Sequence, residues 1–144
     1  MKTSLPRATL VVALALSLLA PVLAAVDKAP PQIVEGAKTV SVEEAKAMLD
    51  VGVPFIDVRN RRFYARRHVP GAHHLDLKGA FTEEALSAIV AKDQPLVLYC
   101  SGVKCSRSSR ASAKAVSWGF TKVHYFRGGI ADWRVAGMPL ESSE

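Results

Sequence analysis

Two short apolar runs constrain the fold of this chain more than any other feature of its sequence. Residues 54–58 read PFIDV and residues 95–99 read PLVLY. Such near-continuous runs are typical of strands that are buried on both faces in a parallel sheet. A sheet of this kind needs helices to cover both of its faces.

Helical patterns lie before, between and after these runs. Ser41 and Glu44 have the spacing of a capping box and predict a helix that ends near Asp50. Thr82 can cap a second helix. Further helices are predicted at residues 108–118 and 130–135, and weaker strands at residues 73–75 and 122–125. Strands that alternate with helices indicate one α/β domain with a parallel sheet covered on both faces.

The first 24 residues have the pattern of a secretory signal peptide. Lys2 and Arg7 precede an apolar segment at residues 8–20, and small residues end at Ala24. A retained membrane anchor is the alternative, although the apolar segment is shorter than the ~20 residues of a spanning helix. We expect cleavage and a periplasmic or secreted protein. Residues 25–37, with a Pro-Pro pair, are predicted to form an N-terminal arm, and residues 38–142 the domain.

The chain is mildly basic, which permits contact with nucleic acid or a membrane surface in principle. The net charge is +6, and loss of Lys2 and Arg7 with the signal peptide would leave about +4. Basic residues are interleaved with aromatic residues only within residues 59–67. We therefore predict no nucleic-acid partner, and no stable membrane association after cleavage.

The two cysteines mark the expected site. Cys100 directly follows the apolar run at 95–99, where ligands bind in open α/β sheets. The loop after it enters a helix whose first amides carry about half a positive charge. We interpret the loop as an anion cradle and Cys100 as a nucleophile whose pKa lies well below about 8.5. The other predicted residues of the cradle are Ser101, Gly102, Val103, Lys104, Cys105, Ser106 and Arg107.

Two other interpretations of the cysteines stay open at this point. A cysteine at the end of a strand can be a small buried hydrophobic residue. Alternatively, Cys100 and Cys105 can form a structural disulfide, which an oxidising compartment favours.

Several motifs occur in one order along the chain and together resemble the rhodanese family over residues 41–140. They are FIDVR at 55–59, HVPGA at 68–72, the strand that ends in Cys100, GF at 119–120, GGIADW at 128–133 and GMP at 137–139. The resemblance implies a five-stranded parallel sheet flanked by helices, and a cysteine that carries sulfane sulfur as a persulfide. By position, Cys100 matches the catalytic cysteine of that family.

The remaining motif residues are interpreted as structural. Asp57 and Arg59 follow a buried strand and are predicted to form an ion pair that holds the fold, as the resemblance also implies. His68 shapes a turn with Pro70 and Gly71. No three histidines of the chain have the spacing of metal ligands, so we predict no metal site and no cofactor.

The loop departs from the usual pattern of the family. Single-domain members usually have four residues between the cysteine and a basic residue, whereas Cys105 stands five residues after Cys100 and the loop is two residues longer. Arg107 then takes the place of the loop arginine. The lengthened loop also resembles that of phosphatases built on this fold, which admit phosphate or arsenate.

We expect a monomeric sulfurtransferase that takes sulfur from a small anionic donor such as thiosulfate and passes it to a thiol or cyanide. Loop amides, Arg107 and Lys104 would stabilise the leaving sulfite and the persulfide. Cys105 would resolve the persulfide or form a disulfide with Cys100. The alternatives are a phosphatase or arsenate reductase, and a non-catalytic or thiol-redox module with a Cys100–Cys105 disulfide.

Overall fold

The computed structural model describes residues 29–144, so the predicted signal peptide lies outside the described residues. In this part of the chain five strands form one sheet: β1 (Ala37–Thr39), β2 (Phe55–Asp57), β3 (His73–His74), β4 (Leu96–Tyr99) and β5 (Val123–Phe126). Their order is β1-β5-β4-β2-β3, and all neighbours are parallel. The predicted α/β architecture is confirmed, with β4 at the centre of the sheet.

The helices are α1 (Val42–Asp50), α2 (Arg61–Arg66), α3 (Glu83–Ser87), α4 (Arg107–Ser117) and α5 (Gly129–Val135). Ser41 and Glu44 form the predicted capping box, and Thr82 caps α3 by accepting from the amide of Ala85. α4 begins one residue before the predicted start. Within residues 29–144, no helix has the length and apolar content that crossing a membrane requires.

Alternating side chains of the buried strands supply two hydrophobic cores, one on each face of the sheet. Ile56 and Leu98 pack with residues of α3 and α4 on one face. Phe55 and Tyr99 pack with residues of α1 and α5 on the other, where Trp133 is fully buried. Both faces are therefore covered by helices, as the apolar runs predict.

Two elements and one packed segment were not predicted from local patterns. β1 is a three-residue edge strand with no buried residue, and α2 is a six-residue helix with no buried residue, capped by the Asn60 side chain. Neither shows the apolar periodicity on which prediction depends. The predicted arm also packs in part, because Val34 is buried and the carbonyl oxygen of Pro31 accepts from the Tyr125 hydroxyl at 3.1 Å.

Candidate active site

The start of the predicted cradle is held by the first turn of α5. The backbone oxygen of Cys100 accepts from the amide of Ile130, and that of Ser101 from the amide of Ala131, both at 3.0 Å. Gly129 permits this approach, because its φ is +55° and a Cβ there would lie 2.2 Å from the Cys100 oxygen. From the sequence, Gly128 and Gly129 were identified only as part of a motif, although a glycine pair at a strand–helix junction also signals close backbone approach.

The thiol of Cys100 is completely buried at the end of β4. Its Sγ donates to the backbone oxygen of Cys105 at 3.3 Å and lies 3.1 Å from the hydroxyl oxygen of Ser108. The hydrogen bond to the Cys105 side chain, together with burial, raises the pKa of Cys100. The direction of this shift is opposite to the lowered pKa that the sequence analysis predicted for Cys100.

The low pKa belongs instead to Cys105, which is half-buried. A hydrogen bond from the Cys100 thiol is the main cause, and it lowers the pKa of Cys105 to about 5 against the effect of partial burial. The backbone amides of Ser101 and Arg107 and the charge of Arg107 act in the same direction. The helix entrance does stabilise a thiolate, as predicted, but the sulfur that it stabilises is the second one.

A shallow cavity of about 430 Å³ opens over Cys105, and we call it the loop pocket. Five successive loop residues and one residue of α5 line it, namely Ser101, Gly102, Val103, Lys104, Cys105 and Ala131. The loop is closed by a hydrogen bond from the Cys105 amide to the Gly102 oxygen at 2.9 Å. Ser106 is the N-cap of α4 and its side chain makes no capping hydrogen bond. The structure thus brings the predicted residues 101–105 together around one opening.

Arg107 does not line this pocket. Its Nη1 donates to the carboxylate of Asp76 at 2.6 Å and to the backbone oxygen of Val58 at 3.1 Å. We expected this guanidinium to face a bound anion. Instead, its Nη1 connects α4 to the segments that follow β2 and β3. Sequence reasoning did not identify Asp76, which nothing in its local pattern distinguishes from a surface aspartate.

The predicted structural residues Asp57, Arg59 and His68 are buried and hydrogen-bonded. Arg59 donates from Nη2 to the Asp57 carboxylate and to the backbone oxygen of Arg67, both at 2.6 Å. Asp57 is fully buried and Arg59 is 5% exposed. His68, also buried, places Nδ1 2.8 Å from the backbone oxygen of Tyr64 and exchanges two backbone hydrogen bonds with Glu141. This network ties α2 and the C-terminal segment to the sheet.

Among residues 29–144, no three His, Cys, Asp or Glu side chains are grouped to hold a metal ion.

Comparisons with known proteins extend over most of the described chain. A family model for the rhodanese-like domain matches residues 41–136. The thiosulfate sulfurtransferase GlpE of Pseudomonas fluorescens is 32% identical over 110 residues, which cover 74% of this chain and 93% of that protein. The Alr3790 protein of Anabaena sp. superposes with a TM-score of 0.63 at 26% identity, covering 72% of this chain and 91% of that one. The human single-domain sulfurtransferase TSTD1 superposes with a TM-score of 0.60 at 25% identity, and the match covers 69% of this chain and 96% of that one.

Proposed function

This chain belongs to the rhodanese-like sulfurtransferase family, and on that premise we propose that it transfers sulfane sulfur through a persulfide on Cys100. The donor is a small anion such as thiosulfate, and the acceptor is a thiol or cyanide. The observation that carries the proposal is the thiol pair at the carboxyl end of β4, in which the buried Cys100 Sγ donates to the backbone oxygen of Cys105 and the pKa of Cys105 is lowered.

In the proposed reaction the two sulfurs have different tasks. Cys100 Sγ forms a bond to the outer sulfur of thiosulfate, and sulfite leaves with the electron pair of the broken S–S bond. The proton of Cys100 passes to the Cys105 thiolate, which acts as the general base. The products are a persulfide anion on Cys100, a neutral Cys105 thiol and the sulfite dianion, so atoms and total charge balance.

The second half of the reaction returns the pair to its starting state. Cyanide attacks the outer sulfur of the persulfide and leaves as thiocyanate, or an acceptor thiolate attacks and becomes a persulfide itself. In both cases the Cys100 thiolate is released and takes its proton back from Cys105. No external acid or base is needed, because one proton moves between two neighbouring thiols, each of which shifts the pKa of the other.

Loop amides support binding of the anionic groups. The amides of Ser101 and Arg107 are directed at the Cys105 thiolate in the resting protein. When Cys105 becomes neutral, these donors can turn to the persulfide anion or to the sulfonate of the donor. Lys104 lines the same pocket and adds a formal positive charge. Because Cys100 is fully buried, we propose that the Cys105 side chain moves aside as the donor enters.

Cys105 also has a proposed role when no acceptor is present. The neutral Cys105 thiol can pass its proton to the outer sulfur of the persulfide and attack Cys100 Sγ, which forms the Cys100–Cys105 disulfide and releases the outer sulfur as hydrosulfide. A thiol reductant would then restore the pair. The effect of each thiol on the pKa of the other supports this step, since it indicates that the two sulfurs lie close together.

Thiol–disulfide exchange is a second candidate, favoured by the same contact. In that reaction the dithiol would reduce a substrate disulfide to two thiols and become a disulfide itself, without a sulfane donor. Reduction of insulin disulfides by the protein, measured as turbidity, distinguishes this activity from sulfur transfer.

Thiosulfate-to-cyanide transfer tests the proposal most simply. We expect Cys100→Ser to abolish thiocyanate formation and Cys105→Ser to slow it while leaving measurable turnover. If Cys105→Ser abolished transfer and Cys100→Ser retained it, the assignment of the nucleophile would be wrong. Both variants should be checked for unchanged thermal unfolding, so that loss of rate is not loss of fold.

We further propose that the protein acts as a monomer after export and signal-peptide cleavage. This proposal rests on the pattern of residues 1–24 and not on the described residues. Mass spectrometry of the protein from culture and periplasmic fractions would test it, with cleavage after Ala24 as the expected result.

A further inference from the structure

A second cavity, of about 460 Å³, lies beside the proposed active site, between α2 and α5. Arg66, Arg67 and Arg134 line it together with Phe63 and Ile130. We call it the arginine cleft. Neither the proposed sulfur chemistry nor the packing of the domain uses these three arginine side chains.

The charge of the cleft is largely uncompensated. Among residues 29–144, no carboxylate lies within 4.0 Å of the side-chain nitrogens of Arg66, Arg67 or Arg134. Arg59 also borders the cleft, but its charge is already paired with Asp57. One acidic residue, Glu144, is part of the lining. Three exposed guanidinium groups in one concavity favour a partner with several carboxylates, which guanidinium groups bind in bidentate pairs.

The cleft also offers an apolar surface. Phe63 is 48% exposed, and Ile130 is buried at the cleft wall. An aromatic surface between positive charges fits an extended segment that carries both acidic and apolar side chains. A small inorganic anion would use the charges but not the aromatic ring.

The position of the cleft links it to the loop pocket. Ile130 and Ala131 are successive residues in the first turn of α5, and Ile130 lines the arginine cleft while Ala131 lines the loop pocket. The amide of Ile130 donates to the backbone oxygen of Cys100 at 3.0 Å. A segment bound in the cleft would therefore end next to the opening above Cys105.

We propose that the arginine cleft docks an acidic segment of a protein whose cysteine accepts the sulfur. The proposal rests on the sulfurtransferase function and specifies the class of acceptor. Docking by charge would raise the local concentration of the acceptor cysteine at the loop pocket.

Binding can be tested without any sulfur transfer. The probe is a fluorescein-labelled peptide, Glu-Glu-Leu-Glu-Gly-Gly-Ser, in which serine replaces the acceptor cysteine, and its affinity is measured by fluorescence anisotropy. We expect the triple variant Arg66→Gln/Arg67→Gln/Arg134→Gln to raise Kd at least about tenfold, since several charge-assisted pairs are lost. A peptide with glutamine in place of glutamate should bind as weakly to the unmodified protein.

The matched control is Arg61→Gln/Arg62→Gln/Lys122→Gln, which removes the same charge from exposed positions outside the cleft. It should change Kd less than about twofold. An equal loss of affinity in both triple variants would show attraction by net charge alone and overturn the proposal. Absence of peptide binding would overturn it too, and binding to phosphatidylglycerol vesicles in that case would assign the cleft to a membrane surface.

A kinetic arm separates this proposal from the sulfurtransferase function. With the cysteine form of the peptide as acceptor, the cleft variant should show KM raised about tenfold with kcat nearly unchanged. Its thiosulfate-to-cyanide rate should equal that of the unmodified protein. If the unmodified protein transferred no sulfur to cyanide, the proposed function would fail, while the anisotropy result would still decide whether the cleft binds acidic segments.

Discussion

Two loops leave neighbouring strands at the carboxyl edge of the sheet, and they satisfy their polar groups in opposite ways. After β2, Asp57 is fully buried, and Arg59, which is 5% exposed, donates to its carboxylate and to the backbone oxygen of Arg67. After β4, Cys105 is half-buried under an open pocket, and loop amides are directed at its sulfur. The buried ion pair after β2 therefore stabilises the fold. The thiol pair after β4 remains available to a substrate, because Cys105 lines an open pocket.

Removing the Asp57 carboxylate should have the largest effect. Asp57→Ala leaves the Arg59 guanidinium buried without its counter-charge, so the free energy of unfolding should fall by about 3–5 kcal/mol. Urea denaturation measures this. Asp50→Ala removes the partner of Lys46 from an exposed pair and should leave stability almost unchanged. Equal losses in the two variants would mean that burial is not what makes the first pair important.

Gly129→Ala should show that the open loop also depends on a rigid support. The new Cβ would overlap the Cys100 oxygen, and φ is positive at this position, so we expect a loss of about 2–4 kcal/mol. Thiocyanate formation should fall as well, because the start of the loop must shift. Gly137→Ala has a similar φ of +69° but no heavy atom within 4 Å, and it should cost only about 1–2 kcal/mol without affecting the rate. Equal losses of stability and of rate in the two variants would contradict this role of Gly129.

Cys105→Ser tests the assignment of the general base. We expect kcat/KM for thiosulfate to fall about 100-fold at neutral pH, or about 2.7 kcal/mol, because serine cannot take the proton of Cys100. In the unmodified protein kcat/KM should decline as the pH falls through about 5, where Cys105 becomes protonated. In the variant the rate should keep rising into the alkaline range, since Cys100 must then ionise by itself. Identical pH profiles would rule out this role for Cys105.

The smallest effect is expected at the ion pair between Arg107, at the start of α4, and Asp76, in the segment after β3. Asp76→Asn keeps a hydrogen-bond acceptor for Arg107 but removes the charge from a pair that is partly exposed, so stability should fall by less than about 1 kcal/mol. Hydrogen bonds from the Lys78 amide and Arg107 lower the pKa of Asp76 against the effect of burial. The difference between variant and unmodified protein should therefore be present at neutral pH and vanish as the pH falls below about 3.9. A difference that grew on acidification would contradict this reasoning.

The sequence was informative wherever local pattern and burial agree. The apolar runs predicted β2 and β4, and the Ser41–Glu44 spacing predicted α1 with its capping box. β1 and α2 were not predicted because neither contains a buried residue. Such elements owe their conformation to backbone pairing with β5 or to an Asn60 cap, and neither leaves a periodic signal.

The sequence predicted where the candidate site lies, but not which of its two cysteines has the lower pKa. The position of Cys100 after a buried strand, and the loop that leads into a helix, predicted the cradle and most of its lining. Which sulfur is ionised depends on where Cys100 Sγ points, namely toward the backbone oxygen of Cys105 and the hydroxyl of Ser108. The hydrogen bond from Arg107 to Asp76 likewise joins residues 31 positions apart. Such a contact exists only once the sheet has formed.

The location of transferred sulfur tests the central claim most directly. After brief incubation with thiosulfate and without reductant, alkylation and digestion with trypsin would place the two cysteines on separate peptides, because Lys104 lies between them. Mass spectrometry should then find an increment of about 32 Da, one sulfur atom, on the peptide that ends at Lys104 and contains Cys100. An increment only on the peptide that begins with Cys105, or neither an increment nor a Cys100–Cys105 disulfide, would contradict a Cys100 persulfide.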